Sequence, residues 1–158
     1  MNARTLKEAS TCVMVGSALA FLVVLFLDWH RTTVDIAGVT HVEASTSGWN
    51  GWGLLAGIAA IVLVALNVRR ARRGQEPDAT FGIADLVLGV VIVSATVAAA
   101  FSGDADVQVA AVIGVEAGTI LWAAWLGLAL SVVTAVSAAI VALPEAWQPG
   151  RHPTTTTA

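Results

Sequence analysis

Asp85 is the residue whose type and setting first suggest chemistry, because it is the one ionisable side chain inside a segment long and apolar enough to cross a bilayer, Phe81–Phe101. A carboxylate at mid-membrane costs about 2.5–3.5 kcal/mol on insertion scales, so such residues mark ion or proton paths by default. Asp85 lies only about one turn from the start of its segment, however. A quartet of arginines, Arg69, Arg70, Arg72 and Arg73, precedes it across a short connection. Burial of a charge is tolerated when a counter-charge accompanies it, so the expected role of Asp85 is an ion pair with one of these arginines. Proton or ion coupling and a merely interfacial acid are the alternatives. By helical periodicity Asp85, Gly89, Thr96 and Ala100 share a small and polar face suited to contact with a second helix.

The other candidates for chemistry are weaker. His30, His41, Asp28, Asp35 and Glu43 are of suitable types to hold a metal, but no HxxxH or HExxH spacing occurs, and the loop that carries them is expected to be simply polar. His152 offers no more. Cys12 is the only cysteine, which excludes an intrachain disulfide, a Cys-rich metal site and a CxxC redox motif. The sequence holds no intramembrane Ser/Lys or Ser/His pair, no paired mid-membrane aspartates, no P-loop and no nucleophile elbow. An enzyme needs positioned acid, base or metal groups, so the expectation is a non-enzymatic chain with no catalytic residue, no cofactor and no metal.

The elements that carry these residues follow from composition. Apolar residues make up 57% of the 158 and charged residues only 12%, with a mean hydropathy of +0.80. Soluble domains carry about 25% charged residues, so the expected class is an all-α membrane protein, a four-helix transmembrane bundle. A crossing helix needs about 20 apolar residues, and four runs qualify: 9–27, 52–68, 81–101 and 118–143, the last stopped by Pro144. They lack the alternation of barrel strands. A cleaved signal peptide is the rival reading of the first run, but Asp28-Trp29-His30-Arg31 is a poor cleavage region, and a retained helix is expected. Residues 1–148 read as a single membrane domain. Residues 149–158, ending in a threonine run, read as a disordered tail.

Basic residues set the expected orientation. Arg4 and Lys7 precede the first run, the four arginines follow the second, and Arg151 follows the fourth, whereas the loop after the first run carries only Arg31 and residues 102–117 carry none. The positive-inside rule then puts both termini in the cytoplasm of a multi-pass plasma-membrane protein. The arginine quartet is also expected to attract anionic lipid; nucleic acid is not an expected partner of so short a loop. Trp29, Trp49, Trp52, Trp122, Trp125 and Trp147 fall near the ends of the runs and read as interface anchors, the first three clustered beneath a cap. Gly53 and Gly57 in the second run, Gly89 in the third, and Gly127 and Ser131 in the fourth are expected to allow close approach between helices.

The first outer loop, 28–51, has a pattern. Residues 32–36 and 39–43 are rich in β-branched types with Ala37-Gly38 between them, which predicts a β-hairpin. Val107–Val109 is the expected third strand, since two strands alone are marginal. Four helices, internal termini, a β-bearing first outer loop, Trp29 at its start and Gly51-Trp52 at its end resemble the claudin topology. They are more similar still to small four-helix membrane proteins of GC-rich bacteria, in keeping with the Arg, Ala and Val bias. The claudin Gly-Leu-Trp followed by two loop cysteines is not present, so the resemblance implies architecture rather than adhesion. The expected function is that of a structural or accessory membrane subunit packing with a partner or with itself; the alternative is a small oligomeric proton-coupled transporter or channel using Asp85.

Overall fold

The computed structural model describes residues 3–36, 40–74, 79–101 and 119–143. Four helices dominate: α1 Ala3–Val24, α2 Trp52–Arg72, α3 Ala79–Phe101 and α4 Trp122–Ala142. Each is long and apolar enough to cross a membrane, as the sequence predicts. Such segments become helices because a backbone in hydrocarbon must satisfy its own hydrogen bonds. Three strands complete the fold, β1 Asp28–Ile36, β2 Thr40–Ser47 and β3 Thr119–Ile120.

The helices contact in a ring, α1 on α2, α2 on α3, α3 on α4 and α4 on α1. Each neighbour is antiparallel to the last, so the arginines of α2, the start of α3 and the start of α1 share one end of the bundle, and the sheet lies at the other. The buried faces of α2 and α4 are lined mostly by small residues. The buried positions of α2 are Gly53, Ala56, Gly57, Ala59, Ala60, Leu63 and Asn67, and those of α4 include Ala124, Gly127, Ser131, Thr134 and Ala138. Between helices of this kind van der Waals contact and hydrogen bonds, rather than escape from water, supply the attraction.

Helix ends differ from the sequence expectation for local reasons. The first helix stops at Val24 rather than at Leu27: after Leu25 N–H bonds Phe21 O at 3.0 Å, Phe26 and Leu27 donate to Val23 and Val24 at 3.1 Å, a tightened last turn that uses up orphan carbonyls. α2 continues past Val68 through the arginines to Arg72, with Arg73 as its cap, and is followed by Gly74, whose φ of 62° is the left-handed value favoured just past a helix end. The fourth helix begins at Trp122 rather than at 118. Leu121 is extended because its N–H bonds Trp29 O at 2.8 Å, and the two preceding residues have become a strand.

The sheet order is β2-β1-β3. The hairpin pairs Val34 with Val42 and Ile36 with Thr40 in antiparallel register, with an irregularity between Asp28 and His30. The third strand comes from Thr119–Ile120, set against Arg31 and His30. The expected third strand, 107–109, lies outside the described residues, as do Trp147, His152 and the 149–158 tail.

Candidate functional site

The first site is the arginine end. Asp85, on the second turn of α3, is 1% exposed. Arg70 Nη1 donates to its Oδ2 at 2.6 Å, and Asn67 Nδ2 donates to its Oδ1 at 3.3 Å and to Leu63 O at 2.9 Å. Asn67 and Arg70 are one helical turn apart on α2, so both reach the same carboxylate across the α2–α3 contact. The Arg70 guanidinium also lies 4.6 Å from the centre of the Phe81 ring, on the α3 turn before Asp85. Its side chain is 13% exposed, so the pair sits at the edge of the packed interior. Of the quartet, Arg70 alone turns inward; Arg69, Arg72 and Arg73 are exposed.

The sequence reading did not single out Asn67. The signal was available: an amide in an otherwise apolar run, three residues ahead of an arginine, is a polar group that needs a partner in hydrocarbon.

The second site is the sheet end, and here the structure corrects the reading of Trp29. It is not an interface anchor. The indole is 1% exposed, inside the core among Phe21, Leu25 and the start of α4. Its Nε1–H donates to Val24 O at 3.0 Å, its ring meets Phe21 edge-on at 6.4 Å, and its carbonyl accepts from Leu121. The physical reason is room. A Cβ at Gly127 would stand 2.6 Å from the indole and one at Gly48 would stand 2.5 Å from it, so these two glycines make the slot. Gly127 is therefore a seat for a ring rather than a helix-to-helix contact.

The pair on α2 is corrected in the same way. Gly53 lies against the carbonyl of Gly48, and Gly57 lies against the Trp49 ring and Leu25; neither brings a helix close. Gly89 does, with a Cβ there 3.0 Å from Ala135 Cα, and Gly82, which the sequence reading passed over, does so more tightly at 2.7 Å from Ala142 Cα. Ser131 is buried and donates to Leu128 O at 2.8 Å. Trp49 is half-buried and meets Phe26 edge-on at 5.4 Å, and Trp52 is 54% exposed. Trp122 and Trp125 face outward at 67% and 56% exposed.

Further ties run between elements. Ser17 on α1 and Thr134 on α4 share a hydrogen bond of 2.8 Å in the middle of the bundle, and His30 Nε2 lies 3.0 Å from Ala99 O, fastening β1 to the end of α3. A carbonyl only accepts, so Nε2 is the donor of this bond. Among the described residues no three His, Cys, Asp or Glu side chains gather as a metal site, and Cys12 is exposed. An apolar crevice lined by Ala100, Phe101, Ile120, Ala124, Trp125 and Leu128 opens beside β3. No family model, no curated protein and no solved structure matches this chain.

Proposed function

We propose that this chain is a non-enzymatic integral protein of a bacterial plasma membrane, with both termini cytoplasmic, acting as a structural or accessory subunit that packs with a membrane partner or with itself. One observation carries the reading: the carboxylate most suited to transport or catalysis is engaged by two donors of the neighbouring helix. Two further hydrogen bonds of buried hydroxyls bear on it. Ser17 of α1 and Thr134 of α4 bond each other across the bundle, whereas Thr96 donates to Ile92 O at 2.6 Å within its own helix. Polar groups that close on one another within a bundle hold helices in register; they do not present donors to a passing solute. Cross-linking and pull-down from native membranes should capture a defined partner or a homo-oligomer. A protein that stays monomeric and partnerless across detergents and in nanodiscs would refute it.

The orientation has its own test. With Cys12→Ser as background, Ser45→Cys should react with an impermeant thiol reagent in intact cells, and Gly74→Cys should not. Reversed labelling would place the arginines outside.

A second reading is a small oligomeric proton-coupled transporter or channel, favoured by the burial of Asp85 within an apolar span. Proteoliposome flux decides between them. A flux lost in Asp85→Asn would establish coupling, and equal or absent flux in both forms would remove it.

A further inference from the structure

We infer that Arg69, Arg72 and Arg73 form a headgroup site for an anionic phospholipid whose acyl chains lie along the outward face of α2. The inference rests on the membrane-spanning reading and not on the packing proposal.

Two independent features of α2 converge on it. The three arginines stand at i, i+3 and i+4, a spacing that puts them on one helical face, and all three are exposed. Arg70, about 100° round the helix from Arg69, is the one directed to Asp85. The quartet is therefore divided, one charge turned into the bundle and three turned away from it. Among the described residues no ion pair engages the three.

The second feature is what lies behind them. Ile58, Val62 and Ala65 are exposed and run at i, i+4 and i+7 into Arg69 at i+11, so the outward apolar stripe of α2 ends in the three guanidinium groups. Half of a hydrocarbon core of roughly 30 Å is about 15 Å, which at 1.5 Å rise corresponds to about ten residues of helix. That is the stretch from Ile58 to Arg69. An acyl chain laid along the stripe thus brings its phosphate to the arginine face. A guanidinium fork suits a phosphate bidentately, and a zwitterionic headgroup would bring its own cation to the same place, so the site selects a net negative lipid.

The test titrates the whole protein, in neutral detergent, with phosphatidylglycerol and with phosphatidylcholine of the same chains, read by native mass spectrometry. Both ends of the protein are accessible in a micelle, so the result does not depend on orientation, and it is independent of oligomeric state. The wild type should prefer phosphatidylglycerol. Each single Arg→Gln change should weaken that binding about fivefold, and Arg69→Gln/Arg72→Gln/Arg73→Gln on the order of 100-fold. Replacement of all three by Lys should keep most of the preference, and Arg31→Gln, an exposed charge at the sheet end, should leave it unchanged. Added salt should reduce the preference in the wild type, which serves should the triple Gln variant fail to fold. The inference is overturned by wild-type affinity in the triple Gln variant, by an equal loss in Arg31→Gln, by a salt-independent preference, or by inorganic phosphate displacing the lipid at equal concentration.

Discussion

At the sheet end the bundle is filled by an indole, and at the arginine end it is held by an ion pair. Trp29 enters from β1, meets ring, aliphatic and glycine surfaces, and satisfies its one N–H on a backbone carbonyl five residues back. Asp85 sits among charge and amide donors, each supplied by α2. The first arrangement depends on volume, because a ring is held by the shape of its slot. The second depends on charge balance, because an unpaired carboxylate away from water is costly whatever its shape. The two ends should therefore fail in different ways: the sheet end to changes of size, the arginine end to changes of charge at constant size.

The largest effect is expected at the sheet end. Trp29→Ala removes the ring, its hydrogen bond and its contact with Phe21, and should cost roughly 3–5 kcal/mol, as large-to-small core changes do. Reversible unfolding in mixed micelles measures this. A cost as small as that of an exposed tryptophan such as Trp122 would show that the slot is not a packed core.

At the arginine end the two halves of the pair are not equivalent. Arg70→Gln leaves a carboxylate that is 1% exposed, and should approach the roughly 3–5 kcal/mol of a broken buried pair, reduced because Arg70 itself lies at the edge. Asp85→Asn leaves a cation that can turn towards water, and should cost only about 1–3 kcal/mol. The double variant should cost less than the sum of the two. Strict additivity in the same unfolding assay would mean the pair is not coupled.

Glycine substitutions sharpen the contrast in size. Gly127→Ala puts a methyl group against the Trp29 ring and should cost about 1–3 kcal/mol by overpacking. Gly16→Ala on α1, with nothing within 4 Å of its Cβ, should be neutral or stabilise by up to about 1 kcal/mol through helix propensity. Equal shifts in thermal midpoint would remove the argument that Gly127 is a seat for the indole.

The smallest effect belongs to the bond midway between the ends. A double-mutant cycle on Ser17→Ala and Thr134→Val should give a coupling of about 0.6 kcal/mol, the typical value for hydrogen bonds between membrane helices. A coupling comparable to that of Arg70 and Asp85 would show that the bundle centre matters as much as its ends.

Some of this was legible along the chain. The four apolar runs had to be helices, since length, hydropathy and the need to satisfy backbone groups leave little choice. The β-branched stretches either side of Ala37-Gly38 marked the hairpin. Asp85 and the arginines drew attention because a charge beside hydrocarbon is conspicuous in any window. Which arginine reaches Asp85, and that Asn67 joins it, followed only from the rotation of α2 against α3. Trp29 looked like any interfacial tryptophan, because a side chain's depth depends on how β1 folds back over the bundle and on glycines at 48 and 127 that lie far apart in sequence. The expected third strand at 107–109 lies outside the described residues. The strand seen among the described residues forms at Thr119–Ile120 because Leu121 is tied to Trp29. Sequence alone thus determined which segments are helical and which residues carry charge, since both are local properties of composition and period. Tertiary structure decided which face of each helix turns inward, and so which arginine forms a pair and which tryptophan becomes core, because these depend on contacts between residues that only folding brings together.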